Sequence, residues 1–229
     1  MHRSTIPERL AHILIASITV LLIAGCTSSR TSVPDSGADI TVRRIAVLPF
    51  QQTSPSEVAV RMGGEPVILG EIGTDRPDGS PERITERIFL ERQKALGQIQ
   101  VVYPDRAGAA YLNAASGSFK MKTSEILRKM GSDLETDGII VGYVYRWRER
   151  KGLAYSVEKP ASVAFDIHLY RASDGVLLWR GLFDQTQESL MENMLQLPFF
   201  FKEKGRWITA EELTAAGMEE VCKTFPAKP

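Results

Sequence analysis

Cysteine and histidine are scarce in this sequence. The 229 residues include two cysteines, Cys26 and Cys222, and three histidines, of which His168 alone lies beyond residue 25. A metal site built from these side chains needs several ligands close together, so we predict no metal site and no cofactor. Cys222 lies in an apolar helical pattern, where we expect a buried free thiol.

An excess of one charge is also absent. The sequence has 28 Lys and Arg residues against 28 Asp and Glu residues, a formal net charge of zero. Proteins that bind nucleic acid carry a basic patch that neutralises phosphate groups. We therefore predict no nucleic-acid partner.

The hydrophobic run near the N-terminus is short. Ile13–Ile23 has eleven residues, whereas a membrane-spanning helix needs about 20 apolar residues. Arg3 and Arg9 precede the run, which is the pattern of a secretory signal peptide. The run ends in Leu22-Ile23-Ala24-Gly25-Cys26, which resembles the bacterial lipobox of a branched aliphatic residue, two small residues and cysteine.

The lipobox resemblance implies that residues 1–25 are removed and that the thiol of Cys26 receives a diacylglycerol. Each buried methylene contributes about 0.8 kcal/mol to membrane binding, so several acyl chains anchor a protein firmly. Residue 27 is Thr rather than the Asp that retains lipoproteins in the inner membrane of well-studied Gram-negative bacteria. The resemblance thus implies the periplasmic face of the outer membrane. The alternative is an ordinary secretory signal in which Cys26 is coincidental.

The segment after Cys26 is polar. Thr27–Thr41 is rich in Ser and Thr, and it predicts a flexible tether that spans at most roughly 50 Å. The predicted division of the chain is a signal peptide (1–25), a lipidated cysteine with its tether (26–42), and a single α/β domain (43–229) with an insertion at 51–79 and a helical extension at 188–229.

The first half of the domain alternates strands and helices. Arg43–Phe50 and Gln98–Tyr103 have the apolar pattern of strands, each ended by proline. A helix is predicted from Pro81 to a stop at Gly97, and another over Thr123–Leu134. The residues from 105 to 122 are predicted to be mostly loop, with a helical turn at Ala107–Ala114.

Three longer strands follow and form an antiparallel meander. They are predicted over Gly138–Arg148, Ser162–Arg171 and Val176–Phe183, with an Asp-Gly turn between the last two. Alternation in the second strand predicts one buried and one wetter face. The whole pattern is β-α-β-α-β-β-β, which indicates an α+β fold: a mixed β-sheet with helices packed on it.

Five stretches carry a family resemblance. They are Ile45-Ala46-Val47-Leu48-Pro49-Phe50, Val101-Val102-Tyr103-Pro104, Thr136-Asp137-Gly138-Ile139-Ile140-Val141-Gly142, Val163-Ala164-Phe165-Asp166-Ile167-His168-Leu169-Tyr170 and Ser173-Asp174-Gly175-Val176-Leu177-Leu178-Trp179. In this order they resemble the α/β module of the TolB N-terminal domain, the curli secretion lipoprotein CsgG and the LpoB-type activators of penicillin-binding proteins. The resemblance covers about Arg43–Thr186 without the insertion, and it implies an anticodon-binding-domain-like fold.

One pair of residues has the types needed for catalysis. Asp166 and His168 share a strand face at i, i+2, where a base and the residue that orients it can lie. We expect instead that His168 is a surface residue on the wetter face of the sheet, and the sequence contains no hydrolase motif around it. We therefore assign no catalytic residue.

Aromatic and basic residues near the C-terminus are the candidate partner-binding set. They are Phe199, Phe200, Phe201, Arg206 and Trp207. Such residues are enriched at protein interfaces, but the same segment has an alternative role in packing on the meander. A second aromatic set, Tyr143, Tyr145 and Trp147, is predicted to share one strand face.

Three functions are compatible with these features. The first is a non-enzymatic outer-membrane lipoprotein whose periplasmic domain binds another envelope protein as an adaptor in cell-envelope assembly. The second is a homo-oligomeric subunit of a ring or secretion assembly of the CsgG type, although Glu149–Ser162 is too short for two membrane-spanning strands of roughly 9–11 residues each. The third is an envelope hydrolase that uses Asp166 and His168.

Overall fold

The computed structural model describes residues 31–32, 42–53, 77–97, 99–116, 121–153, 156–187 and 207–226. Most of the predicted insertion and the residues Phe199 to Arg206 lie outside these ranges, as does Cys26. The described strands are β1 (Thr31–Ser32), β2 (Arg44–Val47), β3 (Gln51–Gln52), β4 (Gln100–Val102), β5 (Gly138–Arg148), β6 (Lys151–Leu153), β7 (Ser156–Lys159), β8 (Ser162–Arg171) and β9 (Leu177–Thr186). The described helices are α1 (Pro81–Leu96), α2 (Pro104–Ala115), α3 (Thr123–Leu134) and α4 (Ala210–Cys222).

Seven strands form one mixed sheet in the order β1-β9-β8-β5-β2-β4, with β3 paired to β5. β2 is parallel to β4 and to β5. β5, β8 and β9 form the antiparallel meander. The predicted α+β class and the predicted meander are therefore confirmed.

The short strands β6 and β7 pair with each other outside the main sheet. They connect the end of β5 to the start of β8, where Arg148 pairs with Ser162 and Ser162 pairs with Thr186. We call this edge of the molecule the hairpin end. The turn at Ser173–Asp174 lies at the opposite end, between β8 and β9.

The helices cover both faces of the sheet in two pairs. One apolar cluster joins α1 and α4 to one face, with the following members: Ile88, Phe89, Leu213, Met218, Val221, Phe165 and Trp179. The other joins α2 and α3 to the opposite face, with the following members: Ala107, Ala114, Leu127, Met130, Ile139 and Tyr170. Because both faces are covered, the central strands read as nearly continuous apolar runs.

Helix ends and inward faces follow the sequence signals. α1 starts at Pro81, and Gly97 ends it with φ of 64° while donating its N–H to the Gln93 carbonyl. α3 has the predicted bounds and buries Ile126, Leu127, Met130 and Leu134. α4 begins with a capping box between Thr209 and Glu212 and buries the free thiol of Cys222, as predicted. All of these predictions are confirmed.

The prediction that residues 105 to 122 are mostly loop is wrong. Pro104–Ala115 is a continuous helix with proline in its first turn, where the missing N–H removes no hydrogen bond. The small residues that suggested a loop are mainly alanines, which are the best helix formers. Ala107 and Ala114 are fully buried, so small side chains let α2 pack closely.

Pro49 interrupts the first strand but does not end its pairing. β2 stops at Val47, and the chain pairs with β5 again at Gln51 and Gln52. The Phe50 N–H, which follows Pro49, donates to Oε2 of the buried Glu86 on α1 at 2.8 Å. The Glu86 carboxylate thus replaces a strand carbonyl as the hydrogen-bond acceptor for the Phe50 N–H.

The expectation that Tyr143, Tyr145 and Trp147 share a face is wrong. The β5–β8 register shifts between Val144 and Arg146, which inserts one extra residue into β5. Tyr143 and Tyr145 therefore pack on the α2–α3 side, whereas Trp147 packs against the α1–α4 cluster. Alternation in the sequence cannot reveal such a bulge.

The predicted tether contributes the edge strand β1. Thr31 pairs with Gly181 and Ser32 with Arg180, antiparallel to β9. This part of the predicted tether therefore lies along the sheet.

Gly142 tests the packing between β5 and the segment after β2. A Cβ atom at Gly142 would lie 2.5 Å from the ring of the fully buried Phe50. We expect Gly142→Ala to lower the free energy of unfolding by about 1–3 kcal/mol, because the ring must shift in a close-packed core. Urea denaturation measures the change, and Arg148→Ala at the exposed end of β5 is the control, expected within about 0.5 kcal/mol of the parent. Equal free energies of unfolding for both variants would contradict the close packing of Phe50 on Gly142.

Candidate functional site

A polar cluster lies buried in the middle of the meander. Asp166 and His168 on β8 are both at 0% exposure. His168 Nε2 lies 3.1 Å from Asp166 Oδ2, but it is off the angle for a hydrogen bond. His168 Nδ1 lies 3.0 Å from the Tyr170 hydroxyl. The two residues of the hydrolase hypothesis are therefore brought together inside the protein.

The expectations of a wetter face and a surface histidine are wrong. The rings of Tyr143 and Tyr170 flank His168, with centroids 5.2 and 5.9 Å from the imidazole. Every residue of β8 up to Tyr170 is buried. The polar residues on this strand face the interior because tyrosines of the same layer cover them.

Arg180 supplies the positive charge of the cluster. This residue on β9 pairs with His168 in the strand register, and its Nε donates to both carboxylate oxygens of Asp166 at 3.0 and 2.9 Å. The Tyr145 hydroxyl donates to Oδ2 at 3.1 Å. Sequence reasoning missed Arg180, because a two-residue Asp-Gly turn would place it opposite Leu169, and a register shift between Leu169 and Tyr170 brings it opposite His168 instead.

The cluster keeps Asp166 ionised. Burial alone would raise the pKa of this carboxyl, but His168 and Arg180 outweigh burial and hold the pKa below its ordinary value. Burial, followed by the nearby Asp166 charge, raises the pKa of Tyr145. The arrangement is an Asp166–Arg180 ion pair with neutral tyrosines around it, and the His168 side chain has no exposed atom with which to reach a substrate.

A groove runs along α1, from residues just before its first turn to Lys94 in its last turn. It has a volume of about 580 Å³ and is lined by Asp78, Gly79, Arg83, Ile84, Glu86, Arg87, Leu90, Glu91, Lys94, Tyr103 and Glu211. Tyr103 directly follows β4 and is 55% exposed. The groove is thus a candidate binding site that the sequence did not reveal.

Charges of both signs line the groove. Arg87 Nη2 lies 2.5 Å from Glu211 Oε1 and its Nη1 lies 3.1 Å from Glu91 Oε1. Arg83 Nη2 lies 3.2 Å from Asp78 Oδ1. Paired surface charges beside an exposed tyrosine suit a polar protein surface better than an apolar small molecule.

One residue of the candidate partner-binding set is described. Trp207 is half-buried, and the next residue, Ile208, donates its N–H to Gln187 Oε1 at 2.9 Å. Gln187 directly follows β9, so Trp207 lies at the hairpin end. Phe199, Phe200, Phe201 and Arg206 lie outside the described residues.

Neither a metal-binding cluster nor a membrane-spanning helix occurs among the described residues. Among the described residues, no group of three or more His, Cys, Asp or Glu side chains is arranged to hold a metal ion. None of the helices that the structure describes has the length and apolarity to cross a membrane.

Similar proteins were found among solved structures alone. No protein family and no curated protein matches the sequence. A PelC dodecamer from Paraburkholderia phytofirmans is 15% identical with a TM-score of 0.48, covering 88% of this chain and 99% of its own. A lipoprotein from Neisseria meningitidis is 12% identical with a TM-score of 0.37, covering 71% of this chain and 98% of its own. The LpoB C-terminal domain from Salmonella enterica is 10% identical with a TM-score of 0.34, covering 65% of this chain and 86% of its own.

Asp166→Asn tests the buried ion pair. Removing one partner of a buried pair costs about 3–5 kcal/mol, and we expect about 3 kcal/mol because Arg180 still reaches solvent. The folded pKa of Asp166 lies below its ordinary 3.8. The stabilisation is therefore complete above that pH and is lost as the pH falls through the folded pKa.

Urea denaturation at pH 7 and at pH 3 measures both effects. We expect the parent to lose more stability than Asp166→Asn between these two pH values. Asp184→Asn, which removes the exposed partner of Arg146, is the control and should cost at most about 1 kcal/mol. Equal losses in all three proteins would refute the ion-pair assignment.

Proposed function

We propose that this chain is a non-enzymatic lipoprotein that is anchored to the periplasmic face of the outer membrane and binds another envelope protein. The observation that carries the proposal is the sequence Leu22-Ile23-Ala24-Gly25-Cys26 at the end of a short apolar run. A run of this length directs export without spanning the membrane. The acylated cysteine then holds the domain at the bilayer surface.

The described surface supports binding rather than catalysis. Asp166 and His168 are both fully buried, and the Asp166 carboxylate is paired with Arg180 within the protein. The groove beside α1 is open and presents Tyr103 among charged residues. Tyrosine and arginine are enriched in protein interfaces, so we assign the groove and the segment around Trp207 as candidate contacts.

Cys26→Ala tests the anchor. The parent protein is expected to carry the mass of diacylglycerol on Cys26 and to fractionate with the outer membrane, because acyl chains bind it to lipid. The variant is expected to lack this mass and to leave the membrane fraction. Cys222→Ala is the matched control, because Cys222 is buried and has no role in anchoring. Acyl groups on the Cys26→Ala protein would overturn the anchor.

In-cell crosslinking and purification of the full-length protein test the partner. We expect a distinct envelope protein to co-purify, and we expect less of it with Tyr103→Ala or Trp207→Ala than with Lys129→Ala on the exposed side of α3. Truncation of a central aromatic contact typically weakens binding by about tenfold or more. Recovery of self-crosslinked species alone would instead favour the ring subunit.

A further inference from the structure

The register of β1 shows from which end the chain enters the sheet. Thr31 pairs with Gly181 and Ser32 with Arg180. Since β1 is antiparallel to β9, residues before Thr31 approach from the side on which β9 ends at Thr186. This side is the hairpin end, because Thr186 pairs with Ser162. The chain therefore enters the domain from the hairpin end.

The connection from the proposed anchor to this point is short. Cys26 and Thr31 are separated by five residue steps, which span at most about 18 Å when fully extended. This step rests on the proposed acylation of Cys26. The domain is therefore held close to the membrane by a chain that enters at the hairpin end. Its hairpin end consequently faces the bilayer.

The hairpin end has the side chains that suit an anionic bilayer surface. Leu153 on β6 is 75% exposed and is the most exposed of the large hydrophobic residues that the structure describes. Arg148, Lys151 and Lys159 around it are exposed as well. Basic residues are attracted to anionic headgroups, and each adds roughly fivefold to membrane binding. The whole chain has a net charge of zero, so this local excess of positive charge distinguishes the hairpin end of the fold.

The acidic residues at this end do not cancel the excess. Residues 148–159 carry four basic side chains, Arg148, Arg150, Lys151 and Lys159, against the two carboxylates of Glu149 and Glu158, a formal net charge of +2.

We propose that the β6–β7 hairpin docks on the anionic phospholipid surface into which Cys26 is anchored. Leu153 enters the headgroup region, and Arg148, Lys151 and Lys159 contact lipid phosphates. Lipid anchor and hairpin together fix the orientation of the domain, with the Ser173–Asp174 turn pointing away from the bilayer.

The test uses the full-length acylated protein in vesicles of phosphatidylethanolamine and phosphatidylglycerol. Leu153→Cys and Ser173→Cys each introduce one exposed thiol, at the two opposite ends of the sheet. The native Cys222 does not compete for label, since burial raises the pKa of its thiol to about 12. A fluorescent label on each thiol is then exposed to a nitroxide quencher carried by the lipid headgroups.

We expect several-fold stronger quenching at residue 153 than at residue 173. In the Leu153→Cys background, the double substitution Lys151→Glu and Lys159→Glu should reduce the quenching at residue 153. The control is the double substitution Arg128→Glu and Lys129→Glu on α3, which makes the same change in net charge and should leave that quenching intact. Equal quenching at both ends of an acylated, vesicle-bound protein would overturn the docked orientation alone. A label at residue 153 that is shielded in native envelopes but not in vesicles would also overturn it, in favour of a protein partner. Absence of the acyl mass on Cys26 would overturn the anchor and the docking together.

Discussion

Strand β5 is the element on which the rest of the fold depends. It pairs in parallel with β2 and β3 on one edge and antiparallel with β8 on the other. It therefore joins the α/β half of the domain to the meander. A strand in this position is buried on both faces, and each face needs its own cover. The pairs α1–α4 and α2–α3 supply that cover, so β5 determines the three-layer arrangement.

Burial on both faces also explains why polar residues of the meander form a closed cluster. A charged carboxylate inside a sheet layer is costly unless it is paired and hydrogen-bonded. Asp166 meets this condition through Arg180 on the neighbouring strand and through the Tyr145 hydroxyl. These contacts require β8 and β9 to adopt one register, because a slip by one residue would separate the charges and reverse the faces. The cluster thus helps to specify the pairing of β8 with β9.

Local signals in the sequence predict most of the elements but few of their tertiary relationships. Pro81 and Gly97 bound α1 as predicted because capping depends on neighbouring residues alone. Alternation in Ser162–Arg171 predicts a strand, yet it cannot show that helices and tyrosines bury the polar face as well. The bulge that separates Trp147 from Tyr143 is likewise set by pairing with β8. The groove joins Asp78, Tyr103 and Glu211, which are far apart in the sequence and meet only in the fold.

The pairing of β1 with β9 changes what the polar segment after Cys26 can do. With Cys26 acylated as proposed, fifteen flexible residues would let the domain sweep a hemisphere tens of ångströms in radius, whereas five residues would keep it in a thin layer along the bilayer. Confinement of this kind raises the effective concentration toward any target that is itself held at the membrane. It would lower the chance of encounter with targets deeper in the periplasm. Under that proposal, a two-residue strand at the sheet edge would select partners by their height above the membrane.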